Sequence, residues 1–168
     1  TLQALNESLR AIVENSPLAI YSVTPAGIVT LWNPAAERLF GLSQEAVIGL
    51  PSPLLAAHES FMLEQRGRVL AGNVLYDREL NWTRPDGERR ELSLSLGPLR
   101  GSDQSVVGIL VTCSDITSLK QTSRALDQQL HFTQELLEVM PSPIFYRRAE
   151  GAYIGFNRAG ELCLNQRR

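Results

Sequence analysis

Apolar and polar positions divide the chain into short strand-like runs, several small helices and one long amphipathic segment. The densest run is Ser105 to Thr117, SVVGILVTCSDIT. Both of its parities are apolar: Val107, Ile109, Val111 and Cys113 on one side, Val106 and Leu110 on the other. A half-buried edge strand would alternate with polar residues, so this pattern predicts a strand covered on both faces. Beyond Asp115 the period changes. Ile116, Leu119, Ser123, Leu126, Leu130, Thr133 and Leu137 follow three-four spacing, which predicts a linker helix over residues 116–138 with a coiled-coil seam. A second narrow stripe, Leu2, Leu5, Leu9 and Ile12, predicts an N-terminal helix over residues 1–15. It stops at Asn15-Ser16-Pro17, because the residue before a proline is pushed out of the α region.

Between these helices the pattern is mostly β. Leu18–Val23 and Ile28–Trp32 flank the turn signal Thr24-Pro25-Ala26-Gly27 and predict an antiparallel hairpin. Asn33-Pro34 opens a short helix to Phe40 that Gly41 closes, with Asn33 as the capping side chain. Ser43 caps a further turn, and a longer helix carries Phe61, Met62, Leu63, Val69 and Leu70 to Gly72-Asn73. Strands return at Val74–Thr83, where Leu80 and Trp82 share a face and Leu75 breaks the alternation. Arg84-Pro85-Asp86-Gly87 is a strong turn, after which Leu92, Leu94 and Leu96 alternate with Glu91, Ser93 and Ser95. Two strands, several small helices, then three strands joined by tight hairpins make an α+β domain with a five-stranded antiparallel sheet over residues 16–115.

Composition narrows the function. At 168 residues and 43% apolar, the chain holds one ordinary domain with flanking elements. A net charge of −2, with both signs interspersed, gives no basic footprint for nucleic acid or a membrane surface. Two cysteines, Cys113 and Cys163, without CxxC spacing point away from a disulfide framework or zinc site and toward the cytoplasm. No apolar run is long enough for a membrane span. No phosphate-cradling glycine loop, nucleophile elbow or paired-His metal spacing occurs, so no enzymatic activity is expected.

The end of the chain echoes its beginning. Val139-Met140-Pro141-Ser142-Pro143-Ile144 resembles Val13-Glu14-Asn15-Ser16-Pro17-Leu18. After a two-residue deletion, Gly151 and Phe156-Asn157 resemble Gly27 and Trp32-Asn33. Residues 139–168 therefore read as the truncated opening of a second copy, weakly ordered unless it borrows a partner.

Three stretches together, SPLAIYSVTPAGIVTLWNPAAERLFGLSQEAVIG, RPDGERRELSLS and VVGILVTCSDIT followed by a helix, resemble the PAS (sensory box) family of multidomain signalling proteins. The resemblance implies strand order 2-1-5-4-3, which makes the Ser105–Asp115 strand central, and makes the tail the start of a second PAS domain. It implies a dimeric sensor or relay upstream of a kinase, diguanylate cyclase or regulator, pairing as a homodimer through the terminal helices. In many relatives the Asp of Asp-Ile-Thr ties the outgoing helix to the sheet. Asp115, Ile116 and Thr117 match that motif, with Arg89 or Arg90 as the partner. Asp115 as a simple helix cap is the competing reading.

A pocket, if the core holds one, would be lined by Leu80, Trp82, Leu94, Ile109, Val111 and Cys113, with Leu92 and Leu96 beside them. Few of these could fix a polar ligand, so no cofactor is expected. Flavin or a small organic ligand is the alternative, with Trp32 and Trp82 available to stack, although tryptophan on a strand is usually core. Haem through His58 is disfavoured, because the family's haem ligand sits deeper in the helix.

Overall fold

Gly27 makes the first hairpin: it takes φ +91°, open to glycine at no cost, and its N–H donates to Thr24 O at 2.8 Å. In the computed structural model, which describes residues 2–165, that hairpin joins β1 (Ala19–Val23) to β2 (Val29–Trp32), after the helix α1 (Leu2–Glu14). Four short helices follow: α2 (Pro34–Phe40), α3 (Gln44–Val47), α4 (Pro53–Ala57) and α5 (Glu59–Leu70). Then come β3 (Leu75–Thr83), β4 (Arg89–Arg100), β5 (Val106–Asp115) and the long helix α6 (Thr117–Val139). The five strands form one antiparallel sheet of order β2-β1-β5-β4-β3, so β5 is central. The chain divides into two units, residues 1–118 and 119–168.

One face of the sheet carries the core. Tyr21, Trp32, Leu92, Leu94, Leu96, Ile109, Val111 and Cys113 are buried there beneath Phe40, Leu54, Met62 and Val69 from the helices. The other face does not match the pattern of β5. Double coverage was expected, yet Leu110 is 36% exposed, and Val107, on the side of Ile109 at the start of the strand, is 54% exposed as well. Apolar residues of both parities required two apolar neighbours, but the outward neighbours of Leu110 are Ser22 on β1 and Gly97 on β4, small side chains that leave it open.

Leu75 joins the core because the β3–β4 register shifts between Leu75 and Arg78, with Asp77 at φ +51°. The inserted residue flips the parity, so Leu75 (3% exposed) points the same way as Trp82. At the opposite edge, Val29 N–H donates to Leu50 O and Gly49 N–H to Val29 O, both at 2.9 Å, and Ile28 bridges Pro51. Ser43 starts α3 without a side-chain cap; the Gln44 N–H instead donates to Glu37 Oε1 of α2.

The second unit holds β6 (Phe145–Arg147), β7 (Tyr153–Phe156) and α7 (Arg158–Asn165). Its register repeats that of β1–β2 position for position. Tyr21↔Trp32, Ser22↔Leu31 and Val23↔Val29 become Phe145↔Phe156, Tyr146↔Gly155 and Arg147↔Tyr153, including the same register shift. The constant spacing places Ile144 opposite Ile20 and Ser142 opposite Leu18, so no two-residue deletion intervenes and the Pro-Ser-Pro match is out of register by two. Among the described residues, no helix is long and apolar enough to cross a membrane.

Candidate functional site

Two places in the first unit could do more than fold: the end of β5, and the space between sheet and helices.

At the end of β5 the backbone passes from strand to helix with one residue between them. Asp115 Oδ1 accepts the Thr117 N–H at 2.9 Å, closing a turn that begins α6. Its Oδ2 accepts from Arg90 Nη1 in a short ion pair. Thr117 Oγ1 accepts the Glu91 N–H at 2.9 Å, and Ile116 N–H donates to Glu91 O at 2.8 Å. The start of α6 is therefore fastened to β4 by backbone and side chains at once. Burial alone would raise the Asp115 carboxyl, but the Thr117 hydroxyl and amide and the Arg90 guanidinium outweigh it and hold it below the ordinary range. Arg90 is raised, chiefly by Glu88 and then by Asp115. Capping and pairing are thus both present at Asp115.

Of the two arginines considered, Arg90 is the partner; Arg89 is exposed and makes no such pair. The pleat decides this. Arg90 shares the parity of Leu92, Leu94 and Leu96, and Asp115 that of Ile109, Val111 and Cys113, so both point to the inward face at the end of their strands. Glu88, which shares that parity, pairs with Arg90 Nη2 at 2.8 Å. Sequence reasoning missed Glu88, although the same alternation marks it.

Asn33 is the other missed reach. It caps α2 as expected, with Oδ1 accepting Ala36 N–H at 2.9 Å. The same oxygen also accepts Ile20 N–H at 2.9 Å, while Nδ2 donates to Val13 O at 3.0 Å and Leu18 O at 2.9 Å. One amide thereby ties the end of α1, the start of β1 and the start of α2 together. Asn157 makes the equivalent set: Oδ1 accepts Ile144 and Gly160 N–H, and Nδ2 donates to Leu137 O, Met140 O and Ser142 O.

The predicted pocket set is gathered on one face. Leu94, Ile109, Val111 and Cys113 are buried, Trp82 nearly so, and Leu80 half-buried against the cluster. Both indoles are engaged by the chain itself: Trp32 Nε1 donates to Leu42 O at 3.1 Å and Trp82 Nε1 to Phe40 O at 3.3 Å. Their rings pack on Phe40, with centroids 5.0 and 5.5 Å away. A small, partly open space of about 20 Å³ lies between Tyr21, Ser52, Met62 and Arg66, under Ile109 and Val111. That is room for a water-sized guest, and the buried Tyr21 and Ser52 border it with their hydroxyls. Burial pushes the Tyr21 phenol and the Cys113 thiol far above their ordinary values. His58 is the N-cap residue of α5, but its side chain neither caps that helix nor lines this space; its Nε2 lies 2.6 Å from Asn81 O on β3. Among the described residues no cluster of His, Cys, Asp and Glu could hold a metal ion.

Residues 7–116 match the family described as PAS fold. The signal transduction histidine-protein kinase AtoS of Escherichia coli (strain K12) is 28% identical over 130 residues, 75% of this chain and 21% of that protein. The sensor protein FixL of Bradyrhizobium diazoefficiens is 28% identical over 134 residues, 76% of this chain and 26% of its own length. The chain thus spans about a quarter or less of these relatives. An RNA-binding light-oxygen-voltage receptor shares the fold, with a TM-score of 0.67 and 20% identity over 80% of this chain and 39% of that one. The chain belongs to the PAS family, as a sensory domain like those of sensor histidine kinases.

Proposed function

We propose that this PAS chain relays a stimulus, through changes in a dimer and in α6, to an output domain of the same protein, a kinase, a diguanylate cyclase or a regulator. The observation that carries the reading is the fastening at Asp115, where the central strand of the sheet and the first turn of α6 share one carboxylate. A strain in the core that shifts β5 acts on that helix directly, with no flexible spacer to absorb it. Asp115→Ala in the full-length protein alters the basal output while circular dichroism reports an intact fold; unchanged output removes the relay.

The relay needs no catalysis by this chain and no resident cofactor. The engaged indoles and the small size of that space favour a packed core, and a flavin or organic ligand would require it to widen. The start of a second PAS domain in residues 139–168 is part of the proposal, supported by the shared strand register and the matched amides of Asn33 and Asn157. The two free cysteines support a cytoplasmic setting, and the charge balance supports a domain without nucleic acid or direct membrane contact.

A ligand-free dimerisation scaffold is the second reading, favoured by the exposed stripes: Leu5, Leu9 and Ile12 on α1, and Leu119, Leu126 and Leu130 on α6. Leu126→Asp or Leu130→Asp converts a dimer to monomer in sedimentation under either reading, and a dimer that survives both changes places its contact elsewhere. Only the relay also loses its output through Asp115.

A further inference from the structure

The Asp115–Arg90 pair does not end at Arg90. Glu88 Oε1 holds Arg90 Nη2 at 2.8 Å, and its Oε2 faces Arg84 Nε at 3.7 Å. Arg84 in turn takes Asp86 Oδ2 at 3.0 Å and donates from Nη1 to Arg38 O at 2.6 Å. Arg38 lies in the last turn of α2. The contact is built closely: a Cβ on Gly41, the residue that ends α2 at φ +72°, would stand 3.2 Å from Arg84 Nε and Nη2. Both arginines are sheltered, at 19% and 29% side-chain exposure, whereas Asp86 and Glu88 are about half exposed. A line of alternating charge therefore runs from the carbonyl end of α2, across the β3–β4 turn, to the carboxylate that starts α6.

We infer that Arg84 and Glu88 are positioning residues for the Asp115 fastening, which they reach through Arg90, and that the chain of charges couples the end of α2 to the start of α6. The inference rests on the relay reading for its purpose, but not for its geometry. Arg90 has two useful N–H faces. With Nη2 held by Glu88, the planar guanidinium presents Nη1 to Asp115 in one orientation. Arg84, anchored on the Arg38 carbonyl, holds Glu88 in turn. The α2 end is itself fixed to the core by Trp82 on Phe40 O and Trp32 on Leu42 O, so a displacement in that wall moves Arg84 with it.

The test is a double-mutant cycle on this chain, read as amide hydrogen exchange of Thr117, whose N–H is held by Asp115. Arg84→Gln and Glu88→Gln each speed that exchange roughly threefold, the scale of a coupled surface ion pair. Neither has any further effect in an Asp115→Asn background, because both act through that carboxylate. A purely structural role would give effects that multiply, in either background alike. Asp86→Asn serves as the control beside the line and shifts the rate least. Exchange at Ile109 and Val111 stays unchanged, showing an intact sheet, and a salt concentration of about 1 M removes the Arg84 and Glu88 effects. The inference is overturned if Arg84→Gln and Glu88→Gln leave Thr117 exchange as it was, or if their effects persist without Asp115. An additive cycle together with an Asp115→Ala change in output would end this inference and leave the relay standing. A coupled cycle with unchanged output would do the reverse.

Discussion

The two hairpins of this chain are built to one plan and stand in opposite surroundings. Both turn at a glycine with positive φ, Gly27 at +91° and Gly151 at +95°, both pair in the same register, and both hang from an asparagine. In the first, Tyr21 is 1% exposed and Trp32 3%; their counterparts Phe145 and Phe156 are each 42% exposed. The asparagine itself is the exception, since Asn33 and Asn157 are both buried. Register and turn are thus local properties, fixed within about thirty residues by backbone hydrogen bonds and one amide. Burial is not local: within the first unit it depends on β3, β4, β5 and the helices packed on them.

The comparison can be broken at three levels. The largest effect is expected from the aromatic pair. Trp32→Ala should cost the first unit about 4 kcal/mol in urea unfolding, as a large buried side chain is lost. Phe156→Ala should leave the first unit's midpoint in place; equal losses would mean the two hairpins share one cooperative core. Next is the amide. Asn33→Ala strips partners from the Ile20 and Ala36 N–H groups and the Leu18 carbonyl, for a loss of about 2 to 3 kcal/mol. Asn33→Asp keeps the acceptor but removes both donations, and a loss as large as that of alanine would show that the donations carry the stability. The smallest effect concerns Asp115. Its lowered carboxyl contributes fully above the ordinary aspartate range, about 3.9, and that contribution fades as pH falls through the lower folded value. The Thr117 amide resonance, followed in acid, should titrate below the ordinary range; a midpoint at or above it would remove the fastening from this account.

Much of this was legible in the residues. Arg84-Pro85-Asp86-Gly87 marks its turn, Leu92, Leu94 and Leu96 mark the inner face of β4, and the two parities of Ser105–Thr117 mark a central strand. Period and turn chemistry are local signals, so they survive without the fold. What they could not give was pairing. Leu110 is outward and open because Ser22 and Gly97 lie beside it, a fact about three strands rather than one. Leu75 looked like a flaw in the alternation until the extra residue at Asp77 accounted for it. Arg90 could have been chosen over Arg89 by counting parity from Leu92, whereas the reach of Asn33 to the Val13 carbonyl depends on where α1 ends in space.

The two margins of the five-stranded sheet carry a consequence for crowded chains. On one side, the backbone groups of Val29 are already taken by Gly49 and Leu50; on the other, β3 is kinked by Asp77 and lined with Arg78 and Glu79. Neither margin offers its whole length as an unbroken flat row of free N–H and C=O groups to a neighbour. Strand addition along the full length of either edge is therefore hindered. Close packing of copies of this domain is thereby steered toward contacts between side chains rather than between strand backbones.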